Sequence, residues 1–393
     1  MNDVLIVSAA RLPIGRFGGA LKEVSDWDLG TIVIAEAMKR AGLKGDEIDE
    51  VIMAHGFRTG DLPANSSRAV ALRAGIPIEK PQFTINKACG GSLRAVSLAA
   101  QIIKAGESDI IVAGGMESMS RAAYILPKVR WGSRLGNAHL IDPLVLLDPI
   151  SGYSLGETGE KVAELYNISR EDQDGFAFLS QQKAERAIRS NKFREEIIPI
   201  QIPQTSRSPL IFDTDEHPRF GTTLEELSKL KSAFKQNGTI TAGNASGLND
   251  GASAVVVVSR KKAKEMGIRS LVSIRSYASV GVKPELMGIG PIPATKQALR
   301  KAGLELKDID LIELNEAFAA QSLAVIRELD LDMEKVNVNG GAIALGHPIS
   351  ATGCILLTKI IYEMKRRDVQ FGLVTMCIAG GQGIAMIVEN EKR

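Results

Sequence analysis

The chain has 393 residues, 45% apolar and 24% charged, with a net charge of +2 at pH 7. That length suits about two domains and buries roughly three-quarters of the extended surface. No run of about 18 apolar residues suggests a membrane span, no basic block interleaved with aromatics suggests nucleic acid, and three cysteines without a Cys-x-x-Cys pair exclude a disulfide framework and structural zinc.

The N-terminal MNDVLIVSAARLP reads as a strand, and Glu391-Lys392-Arg393 is no peroxisomal tripeptide, so a cytoplasmic protein with reduced thiols is expected. Aromatics at 5% and 38 glycines favour an α/β protein with many tight turns. Ala37 to Phe57 (AMKRAGLKGDEIDEVIMAHGF) aligns without a gap to Ala298 to Phe318 (ALRKAGLELKDIDLIELNEAF), 261 residues later. Each copy reads as a helix end, a glycine stop at Gly42 or Gly303, and a strand. A second echo sets Ile110–Gly115 against Met376–Gly381. Each half then alternates strand and helix, which predicts βαβ units.

Between the halves, roughly Ser118 to Asn249, the pattern breaks into an irregular, proline-punctuated insertion with one long helix near Ser169 to Asn191 behind a capping-box start. Ala252 to Ser259, with four consecutive valines, predicts a buried central strand. The expected domains are 1–117 plus 250–268, an inserted loop domain 118–249, and 269–393.

Two of the three cysteines and one of four histidines stand in glycine-rich runs. Cys89, in NKACGGSL, falls between the strand Phe83–Ile85 and a helix over Leu93–Ala105. A helix N-terminus there favours a thiolate; the alternative is a small buried residue at a joint. His347 follows the strand Val336–Asn339 and is held between Gly346 and Pro348, as a proton carrier or as a structural group. Cys377 ends the strand Gly372–Met376 and opens Gly380-Gly381-Gln382-Gly383, whose amides suit a thioester oxygen. Cys354 reads as helix core. Asn315 suits either a water-holding amide or a helix N-cap. A thiolate, an imidazole and a nest of amides are the parts of acyl-transfer chemistry.

These motifs, with RLPIGRFGGAL, AGGMESMS, TAGNASGLNDGA, GPIPA, NEAF, NVNGGAIALGHP and CIAGGQG in order over the whole chain, resemble the thiolases, the acetyl-CoA acetyltransferase and 3-ketoacyl-CoA thiolase family. The resemblance implies a duplicated five-layered α/β/α/β/α fold with a loop domain. It implies Cys89 as the acyl-accepting nucleophile, His347 as its base, and Cys377 as the second acid/base. Asn315 would hold a water that shares one oxyanion hole with His347, and the amides of Cys89 and Ala379 would form the other. Arg219, Phe234, Ala242, Ser246 and Leu248 would contact CoA; Met287 and Phe318 would line the pantetheine tunnel and acyl pocket. The implied reaction is condensation of two acetyl-CoA to acetoacetyl-CoA, or CoA-dependent cleavage of this or longer 3-ketoacyl-CoA, by a homodimer or homotetramer. No metal or organic cofactor beyond substrate CoA is implied. A decarboxylating ketoacyl synthase and a non-catalytic CoA-binding subunit are the alternatives.

The chain departs from the family pattern at several points. Gly91-Ser92 exchanges the usual Ser-Gly after the nucleophile, Ala379 replaces a glycine, and Ser350 follows His-Pro-Ile in place of glycine. Ser154-Leu155 replaces the His-Met common in short-chain members, and Gly60-Asp61-Leu62-Pro63 replaces a Gly/Gln-rich segment.

Overall fold

A computed structural model describes residues 4–57, 65–145, 147–204 and 207–391. The segment Gly60–Pro63 lies outside them. In chain order the regular elements are β1 (Val4–Arg11), β2 (Gly15–Arg16), α1 (Asp26–Ala41), β3 (Glu50–Ala54), α2 (Ser66–Arg73), β4 (Gln82–Ile85), α3 (Gly91–Ala105) and β5 (Ile110–Ser118). The intervening part holds α4 (Leu155–Leu165), α5 (Arg170–Arg189), β6 (Ile200–Gln204), β7 (Arg207–Phe212) and α6 (Leu224–Ser228). There follow β8 (Asn249–Ser259), α7 (Arg260–Glu265), β9 (Val272–Gly281), α8 (Pro291–Ala302), β10 (Leu311–Leu314), α9 (Ala319–Leu329), α10 (Ala342–Leu345), α11 (Thr352–Arg367), β11 (Phe371–Ile378) and β12 (Gln382–Glu389).

The strands run in the order β4-β3-β5-β8-β1, continuing through a two-residue pairing of Leu5 and Ile6 with Ser273 and Val272 into β9-β12-β11-β10. Each half is mixed: β3 pairs in parallel with β4 and β5, while β8 is antiparallel to both β5 and β1. The valine run of β8 is central and buried as expected, and its side chains alternate by face as a strand requires. Val255 and Val257 join the core around α3 and α11, and Val256 and Val258 join the core under α1. A third core places α8 and α9 on the far face of the second half-sheet. Helices, sheet, helices, sheet and helices thus make five layers, with α3 and α11 as the inner one.

The helix stops behave as the repeat predicts. Gly42 and Gly303 close α1 and α8 with φ of 70° and 68°, a left-handed conformation that favours glycine. Ser169 caps α5 in a capping box with Asp172.

Two expectations need correction. The sheet register matches Val51 with Val112 and Ile312 with Leu373, so the 261-residue offset persists through β5 and β11. The equivalent of Ile110–Gly115 is therefore Phe371–Met376, not Met376–Gly381. The second is the strand at Val336–Asn339, which reduces to one parallel bridge between Val336 and Ile312. Asn337 turns away with φ of 44°, and its side-chain amide takes over the ladder. Its Nδ2 donates to the Leu314 carbonyl and its Oδ1 accepts from the Leu314 N–H, at 2.8 and 2.9 Å.

Candidate active site

Cys89 sits in a 3-10 turn, Ala88–Gly90, between β4 and α3. Ala88 takes φ of 43°, a strained value outside glycine, and the Asn86 side chain accepts its N–H at 3.0 Å. The glycines that follow are required by close packing. A Cβ on Gly90 would approach Ile378 to 2.4 Å, and one on Gly91 would approach the Ala54 Cβ to 2.8 Å. The displaced Ser92 is accounted for as well, because its hydroxyl accepts the Cys354 N–H in the first turn of α11 at 2.9 Å.

His347 enters from the other half, between α10 and α11. Gly346, at φ of 103°, brings the chain against Asn249, whose Oδ1 accepts the His347 N–H at 2.9 Å. The imidazole is fixed by Thr352, with Nδ1 and Oγ1 2.7 Å apart. The Thr352 hydroxyl donates to the Pro348 carbonyl at 3.1 Å, so it accepts from Nδ1–H. That bond places the proton on Nδ1 and leaves Nε2, buried and without a partner among the described residues, as a bare acceptor.

Cys377 ends β11 and is fully buried. Gly380 and Gly381, both near φ of 80°, turn the chain into β12. Backbone N–H groups of Ala379 and of Cys89 itself reach the Cys89 sulfur, so the alanine at 379 keeps the amide that a glycine would offer.

Cys89, His347 and Cys377 line one cavity of about 320 Å³, together with Phe234, Ser246, Leu248, Met287 and Phe318. Asn315, Arg219 and Ala242 do not line it. Asn315 lies two residues from its lining Ala317, and both of its side-chain polar atoms are buried without a partner among the described residues. It is not a helix cap: Phe318 holds that position for α9. A buried amide with no protein partner asks for water or ligand. Arg219 and Ala242 line a second cavity of about 350 Å³ with Gln181, His217 and Leu230. The segment 242–248 contributes to both cavities.

The electrostatics overturn one expectation. The helix end was expected to depress the Cys89 thiol, but burial pushes it up to about 11, against the opposing pull of the two amides. Burial raises Cys377 as well, and the neighbouring Cys89 sulfur adds to that. Burial lowers His347 to about 4, so the imidazole is neutral at pH 7. Desolvation outweighs the two amides because the sulfur lies buried in the inner core. Burial thus favours the uncharged form of both groups, the Cys89 thiol and the neutral His347 imidazole.

Three residues had no role from sequence alone. Asn249 and Thr352 hold His347; the signal was present in the NDG and His-Pro-x-x-x-Thr spacings, but neither names its partner. Glu117 accepts the Gly56, Phe57 and Ser350 N–H groups beneath the Cys89 turn.

Two family models cover most of the chain: thiolase, N-terminal domain, over residues 4–261, and thiolase, C-terminal domain, over 268–390. An acetyl-CoA acetyltransferase of Syntrophomonas wolfei is 53% identical over 99% of both chains. The crystal structure of Bacillus anthracis acetyl-CoA acetyltransferase matches with a TM-score of 0.97 at 46% identity, covering 100% of this chain and 99% of that one. Human mitochondrial 3-ketoacyl-CoA thiolase, in complex with CoA, matches with a TM-score of 0.96 at 42% identity over 99% and 98% of the two chains.

Proposed function

The chain belongs to the thiolase family, and from that premise we propose that it is an acetyl-CoA C-acyltransferase working through an acyl group on Cys89. The observation that carries this reading is the convergence of Cys89, His347 and Cys377, from separate loops, on one cavity where His347 Nε2 is bare.

In the cleavage direction, Nε2 of His347 takes the Cys89 proton as the sulfur attacks the C3 carbonyl of a 3-ketoacyl-CoA. The C2–C3 bond breaks, its electron pair passes to C2, and Cys377 protonates that carbon to release acetyl-CoA. The Cys377 thiolate then takes the proton of incoming CoA, whose sulfur attacks the acyl-Cys89. Cys89 leaves as thiolate and recovers its proton from His347. Condensation of two acetyl-CoA is the reverse. The two steps separated by a covalent intermediate give ping-pong kinetics. Burial assists because each donor aimed at the developing oxyanion is worth about 3 kcal/mol in a dry site. Asn315, through a water, and His347 serve one oxygen; the amides of Cys89 and Ala379 serve the other.

The same reading includes CoA along the 242–248 segment, with Arg219 near its phosphates and Phe234, Ala242, Ser246 and Leu248 against the remainder. Met287 and Phe318 flank the pantetheine. The loop domain 118–249 carries Arg219, Phe234, Ala242, Ser246 and Leu248 between the halves 1–117 plus 250–268 and 269–393, the second of which supplies Met287 and Phe318. CoA is substrate, with no resident metal or cofactor. The enzyme works in fatty-acid metabolism, in the cytoplasm, as a homodimer or homotetramer.

The test is acylation. Incubation with acetyl-CoA should add one acetyl group to Cys89, read by intact mass and peptide mapping. Cys89→Ser should lose the adduct and about 10³-fold or more in turnover. Cys377→Ala should keep the adduct and lose condensation. Equal failure of both variants at acylation would refute the assignment of roles.

A further inference from the structure

The two sulfurs lie in different hydrophobic clusters that meet at the cavity. Cys89 belongs to the inner core with Met119 and Ile349, against which Leu144 packs. Cys377 belongs to a smaller cluster with Met287 and Phe318, against which Leu155 packs. Leu144, Leu155, Met119 and Ile349 all line the cavity, with Val145 at its exposed rim.

The polar groups are accounted for. His347 Nε2 and the buried amide of Asn315 belong to the reacting oxygens. Ser154 lines the cavity, but its hydroxyl donates to Glu157 Oε2 at 2.8 Å and accepts the Glu157 N–H at 3.3 Å, as the N-cap of α4. Its hydrogen-bonding capacity is spent on the helix. Ser246 sits on the segment shared with the second cavity. Tight packing keeps Phe234 there too: a Cβ on Gly156 would fall 2.0 Å from its ring, and the ring meets Phe318 edge-on at 6.1 Å. Beyond these groups the wall beside Cys89 is hydrocarbon, formed by Met119, Leu144, Leu155 and Ile349.

Resting on the acyl-transfer reading above, we infer that this cavity selects straight saturated acyl groups longer than acetyl, butyryl and upward, with Leu144 and Leu155 setting the preference. Acetyl leaves this apolar wall uncovered. Each added methylene that covers it gains the free energy of transfer out of water.

The experiment compares kcat/KM for CoA-dependent cleavage of acetoacetyl-, 3-ketohexanoyl- and 3-ketooctanoyl-CoA, and mass-detected labelling of Cys89 by acetyl-CoA and butyryl-CoA. The expected rise from acetoacetyl to 3-ketohexanoyl is about tenfold, two methylenes at about 0.8 kcal/mol each. Butyryl labelling should outpace acetyl labelling. Leu144→Trp, which fills the cavity, should cut the ratio of hexanoyl to acetoacetyl kcat/KM about tenfold. A parallel fall with both substrates would remove Leu144 from the assignment. An acetyl adduct with equal or better acetoacetyl cleavage would overturn the inference and leave the acyl-transfer reading standing. Absence of both adducts and of all cleavage would overturn the two together.

Discussion

The two halves are the same scaffold carrying different chemistry. An offset of 261 residues relates the helix stops Gly42 and Gly303, the strands β3 and β10, and the registers of β5 and β11. It also relates the 3-10 turn Ala88–Gly90 to a second one at Ile349–Ala351, and the starts of α3 and α11. Under that offset Cys89 corresponds to Ser350, Asn86 to His347, Ala54 to Asn315 and Met116 to Cys377. Of the three groups that converge on the cavity, Cys89 comes from the first half and His347 and Cys377 from the second. The mirror position is closed. Glu117 fills the space below Ser350, and a Cβ on Gly115 would lie 2.2 Å from the Ser350 carbonyl. Duplication supplied two identical sockets, and side-chain replacement left one of them open.

The correspondence names the substitutions that probe it: the first two convert a second-half residue into its first-half counterpart, and the third removes a hydroxyl that the first-half counterpart, Gly91, lacks. The largest effect is expected from His347→Asn. Without a proton acceptor at Nε2, Cys89 keeps a thiol that burial holds near 11, and acylation should fall about 10² to 10⁴-fold. Stopped-flow measurement of adduct formation checks this; a loss under tenfold would mean that the base lies elsewhere. The backbone should be spared, because the Asn249 contact uses the His347 N–H and not its ring.

Asn315→Ala is expected to come next. The amide is buried and unpaired in the protein, and Ala54 shows that the scaffold accepts a methyl at this socket. Loss of one oxyanion donor should lower kcat by about 10² to 10³-fold with stability unchanged or raised. A drop in Tm without a drop in kcat would make Asn315 a structural residue.

Much of this architecture was legible before any coordinates. Gly42, Gly303 and Ser169 are local signals with local causes, and the valines of β8 announce a strand buried on both faces. What was illegible depends on long-range contact. Asn337 reads as a strand residue but finishes the ladder with its side chain. The Cys89 thiol reads as helix-activated, yet its turn packs against Ile378, almost three hundred positions away in the chain, and burial raises it instead. The second echo was misaligned because Ala-Gly-Gly recurs in glycine-rich turns, while pairing partners define equivalence only in the folded sheet. Asn315 reads equally as cap or water-holder in the sequence, and only the fold shows Phe318 in the cap position.

The smallest effect tests the finest difference between the halves, Thr352 where the first half has Gly91. The Thr352 hydroxyl is engaged as donor by Pro348, so it accepts Nδ1–H and keeps Nε2 free for the Cys89 proton. Thr352→Ala lets the imidazole carry its proton on either nitrogen and should slow acylation about tenfold, the worth of one hydrogen bond. Thr352→Ser should restore it. The pH profile separates positioning from packing. Burial holds His347 near 4 in the parent, so the acid limb of acylation should fall toward pH 4 and not near the ordinary histidine value of about 6.5. The hydroxyl accepts from Nδ1–H in the imidazolium too and so supports the protonated form. Its removal should move the acid limb further down, and Thr352→Ser should return it. An alanine variant that loses rate with an unmoved limb, and that serine does not rescue, would reduce Thr352 to a packing contact.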